Sequence, residues 1–181
     1  MEWEFTTCIS GRYKWYKREV DKVREEFNDN GIKVLQPPPG PLELTRVDGF
    51  TPIKPEIHLP ISVVEDNFLR CIRHSDFLYI VNPDGTIGVS ISLELGFAAG
   101  IGLPVFSTSS VHNNRDEEHE GRIYSQLKVA TVTEVLKIMR KYREEQEQEK
   151  LSPRPKLFRI LSHWDGPILP YDPNKPPIFL K

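Results

Sequence analysis

The sequence of 181 residues contains little cysteine, little net charge and no long apolar run. Cys8 and Cys71 are isolated, which excludes a disulfide framework and the usual zinc spacings. A net charge of −2 offers no general attraction for nucleic acid or for an anionic membrane. No apolar stretch approaches the ~20 residues that cross a bilayer. Any binding of an anion would therefore need a local site.

Targeting signals and cofactor motifs are also lacking. The segment from Met1 to Phe5 has neither the basic nor the apolar part of a secretory signal. Together with the two isolated thiols, this predicts a cytoplasmic protein. No Walker sequence and no G-x-G-x-x-G fingerprint is present, so we expect no cofactor. His112 and His119 match no metal-ligand spacing, and a solvated charged loop explains them better than a metal site.

Short apolar runs alternate with segments of helical periodicity. Strands are predicted at Phe5 to Ser10, Ile32 to Leu35, Phe77 to Val81 and Leu103 to Phe106, with amphipathic helices between and after them. Alternating strands and helices with short connections predict an α/β fold, in which a doubly wound parallel sheet of about five strands carries helices on both faces.

Proline marks the two segments that depart from this pattern. Residues 36–60 contain seven prolines and cannot form a regular helix, although a short extended piece is expected at Glu56 to Leu59. After Leu151 the chain again becomes rich in proline, with aromatic residues interspersed. We therefore predict one α/β domain over residues 1–150 and a C-terminal arm over residues 151–181, packed on this chain or on a partner.

The most informative segment runs from Val81 to Gly100. An apolar strand ends at a Pro-Asp-Gly turn, and a helical pattern begins just beyond it. Such a turn presents backbone N–H groups and a helix N-terminus at the carboxyl edge of the sheet, where α/β proteins bind anions. Glu94 lies in this helix among apolar neighbours, and Ser90, four residues earlier, shares its face.

Glu94 has two interpretations. A glutamate early in a helix commonly complements the helix dipole or closes a capping box. Its position after a strand and a glycine turn, near two serines and between apolar residues, favours a functional carboxylate instead. Burial would raise the pKa of this group and the helix N-terminus would lower it, so the net direction stays open.

A second polar corner follows the first strand. Neighbouring parallel strands deliver their trailing loops to one edge, so we expect this corner, Ser10-Gly11-Arg12-Tyr13, to face Glu94. Ser10 and nearby N–H groups would hold an anion, Arg12 would pair with it, and Tyr13 would stack or donate a hydrogen bond. An ordinary helix start with solvated side chains is an equal alternative.

Several motifs occur together in this order: Asp84-Gly-Thr-Ile-Gly88, Ser90, Glu94-Leu-Gly-Phe-Ala98 and Gly102-Leu-Pro104. Over residues 5–139 the chain resembles the nucleoside 2-deoxyribosyltransferase family and the related deoxynucleoside 5′-monophosphate N-glycosidases. The resemblance implies a flavodoxin-like domain that forms a homodimer or a higher homo-oligomer. It also implies that Glu94 attacks the anomeric carbon of a nucleoside, and that another base or water resolves the glycosyl-enzyme. The residues expected to bind substrate are Ser10, Gly11, Arg12, Tyr13, Gly85, Gly88 and Ser90.

The chain departs from the family at the second acid. Family members commonly carry an Asp-Asp-Gly-Ser type run where this chain has Gly88-Val-Ser-Ile. Asp84 is the nearest loop candidate for the acid that assists the base, ahead of Glu65 and Asp66, while Asp76 is expected at the opposite end of its strand. The missing acids favour cleavage over transfer between bases. A non-catalytic nucleotide-sensing module and an NAD-cleaving glycosidase stay open as alternatives.

Overall fold

The computed structural model describes residues 2–38, 56–111 and 127–148. Within these ranges the elements follow in the order β1 (Phe5–Gly11), α1 (Tyr13–Asp29), β2 (Ile32–Gln36), α2 (Ile61–Arg73), β3 (Phe77–Val81), α3 (Val89–Gly100), β4 (Val105–Ser107), β5 (Leu127–Val129) and α4 (Val132–Gln148). The strands form one sheet in the order β2-β1-β3-β4-β5, and every pair is parallel. This is the flavodoxin-like order, so the predicted fold class is confirmed.

Side-chain alternation along β3 divides the core into two layers. Phe77, Tyr79 and Val81 pack with buried residues of α1 and α4, whereas Leu78 and Ile80 pack with buried residues of α2 and α3. All five residues of β3 are buried, as expected for a central strand covered on both faces. The sheet is therefore doubly wound, with two helices on each face within the described part of the chain.

The helix after β1 begins earlier than its periodicity suggests. α1 starts at Tyr13, and non-helical backbone angles at Tyr16 (φ −121°, ψ 32°) separate its first turn from the rest. The apolar repeat that marks the helix in sequence begins only at Tyr16. Lys14 and Trp15 thus belong to a short turn above the end of β1, where both side chains are exposed.

Three expectations about connecting segments have different outcomes. The piece from Glu56 to Leu59, predicted to be extended, is a turn in which the Leu59 N–H donates to the Glu56 carbonyl at 2.9 Å. The arm at 151–181 and the loop with His112 and His119 lie outside the described residues. No helix in the described ranges has the length and apolar character that a membrane span requires.

Candidate functional site

A cleft of about 300 Å³ opens at the carboxyl ends of β1 and β2, beside the start of α3. β1 and β3 are the neighbours between which the strand order reverses, and ligands bind at this position in open α/β sheets. The described residues that line the cleft are Gly11, Arg12, Tyr13, Lys14, Trp15, Gln36, Pro37, Glu56, Val64, Glu65, Phe68, Ser90 and Glu94.

Ser10 and Glu94 meet at this cleft. Ser10 lies near the end of β1 and is only 1% exposed, and its hydroxyl donates a hydrogen bond to Oε2 of Glu94. Glu94 is the sixth residue of α3, beyond the first turn, and no side chain caps this helix. The capping interpretation of Glu94 is therefore wrong, and the carboxylate points to the cleft instead.

Burial decides the charge state of Glu94. Enclosure by the surrounding protein raises the pKa of its carboxyl group from 4.5 to about 7, although part of the residue is open to the cleft. The hydrogen bond from Ser10 lowers the pKa, and the negative charge of Glu65 raises it further. Protonated and ionised forms of Glu94 therefore coexist near neutral pH.

Two further carboxylates line the same cleft. Glu65 lies on the exposed side of α2, and Glu56 is buried where the chain enters α2 from the proline-rich segment. Gln36, at the end of β2, donates from Nε2 to Oε1 of Glu56 at 3.2 Å. The sequence prediction missed both Gln36 and Glu56. Gln36 could have been found, because it ends the strand beside β1.

Asp84 occupies a different environment. Its carboxylate accepts hydrogen bonds from the N–H of Thr86 at 3.0 Å and from the hydroxyl of Thr86 at 2.7 Å, and it lies 3.8 Å from Nη1 of Arg12. The Tyr16 hydroxyl, together with Thr86, lowers the pKa of Asp84 to about 2. Asp84 is not among the described residues that line the cleft, so its assignment as the acid beside the base stays a prediction.

Arg12 connects the two loops at this edge of the sheet. Its Nη1 donates to the Thr86 hydroxyl at 3.2 Å and faces Asp84, so the β1–α1 turn is tied to the β3–α3 loop. Tyr13 donates its hydroxyl proton to the Ile9 carbonyl, and burial raises its pKa well above 10. Of the two roles expected for Tyr13, the hydrogen bond is present, but its acceptor is the backbone.

The predicted glycines shape this edge in different ways. A Cβ on Gly11 would lie 3.1 Å from the Val81 carbonyl oxygen, so only glycine fits easily between β1 and β3. Gly85 has φ +71° and donates its N–H to the Asn82 carbonyl at 2.8 Å, closing the turn after β3. Gly88 precedes α3 as its N-cap. Of these three glycines only Gly11 is among the described lining residues.

Asn82 is a buried anchor that the sequence prediction missed. Its side chain donates to the Ser109 carbonyl at 3.1 Å and accepts from the Thr108 hydroxyl and the Ser109 N–H, each at 3.2 Å. Because these bonds join the ends of β3 and β4, they hold the loop that leads to α3 in place. The side chain is 1% exposed.

Asp76 is at the other edge of the sheet. It accepts hydrogen bonds from the N–H of Thr6 at 2.7 Å and from its hydroxyl at 2.9 Å, which confirms the structural interpretation of this acid. His58 is exposed and does not belong to the described cleft lining. The described ranges contain no group of three or more histidine, cysteine, aspartate or glutamate side chains able to hold a metal ion.

The site therefore combines a poorly hydrated glutamate, a buried serine that binds it, two more carboxylates and the basic side chains of Arg12 and Lys14. A scan against protein-family models and a search of curated proteins find no match to this chain. Its function has to be inferred from the chemistry of the cleft.

Proposed function

We propose that the protein cleaves the N-glycosidic bond of a nucleoside or nucleotide, with Glu94 as the nucleophile. This proposal depends on the environment of the Glu94 carboxylate. The group is enclosed at the cleft and accepts a hydrogen bond from Ser10, and its pKa is about 7. A carboxylate kept from water by its surroundings is more nucleophilic than a hydrated one, and it stabilises a developing positive charge nearby.

The reaction would take place in two steps. One Glu94 oxygen bonds to C1′ of the sugar as the bond from C1′ to the base nitrogen breaks, and the base leaves with that electron pair. Water then attacks C1′, a proton is lost, and the sugar is released from Glu94. The Ser10 hydroxyl holds Oε2, which leaves Oε1 to face the sugar. Both transition states resemble an oxocarbenium ion, which a carboxylate stabilises.

The departing base needs a proton or a hydrogen bond, and Glu65 is better situated to help than Asp84. Glu65 lines the cleft, and its charge acts directly on Glu94. Asp84 is not among the described residues that line the cleft, and its carboxylate is bound by Thr86 and lies beside Arg12. We accordingly propose Glu65 as the carboxylate that faces the base and accepts a hydrogen bond from it, and Asp84 as the residue that positions Arg12.

The remaining contacts suit a nucleoside. Val64 and Phe68 supply apolar surface for a planar base, and Ser90 supplies a hydroxyl beside Glu94. The Arg12 guanidinium suits an anionic substituent such as a 5′-phosphate.

The central test is release of free base. The purified protein is incubated with ribo- and deoxyribonucleosides, their monophosphates and NAD, and free base is measured by chromatography. Glu94→Gln should lower the rate at least ~1000-fold, because the nucleophile is lost. Glu25→Gln, an exposed glutamate on α1, is the matched control and should keep full activity. Full activity of the Glu94 variant would exclude this mechanism, and binding without base release would favour a sensing module.

We also propose the homodimer implied by the sequence resemblance, in a cytoplasmic protein. The outer face of α3 carries Val89, which is 90% exposed, and Leu93, which is 57% exposed. A Cβ added at Gly96 or Gly100 would meet no described atom within 4 Å. A second copy packed on this face would bury these apolar groups. Light scattering should give a dimer, and Leu93→Glu should give a monomer, whereas the exposed-site control Lys22→Glu should not.

A further inference from the structure

The rim of the cleft has a chemistry different from its interior. Trp15 lines the cleft although 65% of its surface is exposed, so its ring lies at the opening. The Lys14 ammonium is 5.6 Å from the centroid of the ring, and the Arg12 guanidinium is 5.8 Å from it. Both distances fall within the range of a cation–π interaction. The rim therefore combines an open aromatic surface with two positive charges.

Lys14 differs from the next lysine along the chain. Lys17 forms an ion pair with Asp21 one helical turn later. Lys14 forms no ion pair with an acid in the described part of the chain, and its ammonium group lies over the Trp15 ring. Its charge is therefore available for an anion that reaches the rim, while Arg12 already shares its charge with Asp84.

The dimensions of the cleft determine which part of a ligand meets this rim. A volume of about 300 Å³ is at the lower end for small-molecule sites, enough for a nucleoside-sized group. Gln36, Pro37 and Glu56 line the cleft and are buried, whereas Lys14 and Trp15 line it and are exposed, so a ligand can leave the cleft on the side of Trp15. A ligand larger than a nucleoside, with its sugar at Glu94, would extend past Lys14 and Trp15.

We propose that the rim binds a second planar group of the substrate, joined to the reacting nucleoside through phosphates. The substrate class would then be a dinucleotide. Lys14 and Arg12 would bind the linking phosphates, and the second ring would stack on Trp15. The assignment of a reacting half rests on the proposed function, whereas binding at the rim can be measured without any turnover.

The test is binding to the full-length Glu94→Gln variant, measured by calorimetry. The probes are adenosine, AMP, ADP and two adenosines linked 5′ to 5′ through a pyrophosphate, with the corresponding uridine set measured in parallel. In at least one set, the dinucleotide should bind about tenfold more tightly than the monophosphate, the gain expected for stacking of one more base. Equal affinities for the monophosphate and the dinucleotide in both sets would overturn the proposal.

Substitutions at the rim test whether Trp15 and Lys14 cause the tighter binding of the dinucleotide. Trp15→Ala should remove the tenfold advantage of the dinucleotide and change the affinity for the monophosphate less than about twofold. Lys14→Gln should weaken ADP and the dinucleotide about threefold to tenfold and leave the nucleoside unchanged. Trp3→Ala and Lys22→Gln are the controls, since Trp3 precedes β1 at the opposite edge of the sheet and Lys22 is exposed on α1. A dinucleotide advantage that persists in Trp15→Ala would refute stacking at this rim.

The two proposals fail in different ways. If wild-type protein releases base from nucleosides as fast as from the dinucleotide, and Trp15→Ala has no effect, the rim proposal is wrong and the Glu94 mechanism stands. If the dinucleotide binds through Trp15 and Lys14 but no base is released, the mechanism is wrong and the binding site stands.

Discussion

Asp84 lies in the turn after β3 and Glu94 lies in the helix that follows this turn, and their carboxyl groups have opposite environments. The carboxylate of Asp84 is exposed and bound by hydroxyl and N–H donors, and its pKa is about 2. The carboxylate of Glu94 is enclosed and bound by one hydroxyl, and its pKa is about 7. Paired acids whose environments separate their pKa values are typical of sites that use the two groups for different tasks. Asp84 stabilises the loop, whereas the burial of Glu94 disfavours its ionised form and lowers the stability of the fold when that form is present.

The largest expected effect is on stability at alkaline pH. The folded-state pKa of Glu94 lies above its unfolded value of 4.5, so its stabilising contribution is complete below pH 4.5 and is lost as pH rises through about 7. Glu94→Gln removes this loss. We expect the variant to exceed wild type by about 3 kcal/mol in free energy of unfolding at pH 8.5, and by much less at pH 4.5. Urea unfolding at both pH values measures this, and equal stabilities at pH 8.5 would mean that Glu94 is well hydrated.

The pH dependence of base release should follow the same group. In the proposed mechanism the nucleophile is the ionised form of Glu94, so the rate should fall about tenfold for each pH unit below about 7. Initial rates measured from about pH 5 to about pH 9 give the pH dependence of base release. A plateau extending down to pH 5, about two units below the expected midpoint, would exclude Glu94 as the group whose ionisation controls the reaction.

Two substitutions should move that midpoint in opposite directions. Ser10→Ala removes the hydrogen bond that lowers the pKa of Glu94, so the midpoint should rise. Glu65→Gln removes a repulsive charge, so the midpoint should fall. Each shift should be on the order of one pH unit or less.

Matched controls are available for both of these variants. Ser92→Ala is the control for Ser10→Ala, because the Ser92 hydroxyl on α3 donates a hydrogen bond only to the Gly88 carbonyl among the described groups. Asp66→Asn is the control for Glu65→Gln, because Asp66 is next to Glu65 in the chain but is not among the described residues that line the cleft. Neither control should move the midpoint. Shifts in the same direction for Ser10→Ala and Glu65→Gln would contradict the electrostatic account of this site.

The smallest effect is expected at Asp84. The pKa of Asp84 is lower in the folded state than in the unfolded state. Its contribution to stability is therefore present above pH 3.8 and is lost as the pH falls through about 2. Because the side chain is 37% exposed, Asp84→Asn should cost under about 1 kcal/mol at pH 7. Thermal unfolding at pH 7 measures the cost. A loss of activity as large as that of Glu94→Gln would restore Asp84 as a catalytic acid.

The pattern of apolar residues was enough to predict most of the fold. β3 was predicted with the bounds that it has, because a run of five apolar residues that ends at a Pro-Asp-Gly turn is typical of a buried central strand. β5 was not located: it has three residues, two of them exposed, and carries little signal. The early start of α1 was also missed, since its first turn faces the cleft and lacks the apolar repeat.

Periodicity and strand order thus determined the α/β class, the common face of Ser90 and Glu94, and the edge to which the Ser10 corner belongs. Tertiary structure decided the rest: the bond from Ser10 to Glu94, the direction of the Glu94 pKa, the contact of Asp84 with Arg12, and the entry of Gln36 and Glu56 into the cleft. The physical reason is the distance along the chain over which each property acts. Periodicity is a local property of the chain, whereas desolvation and hydrogen bonding depend on groups that are distant in sequence and meet only after folding.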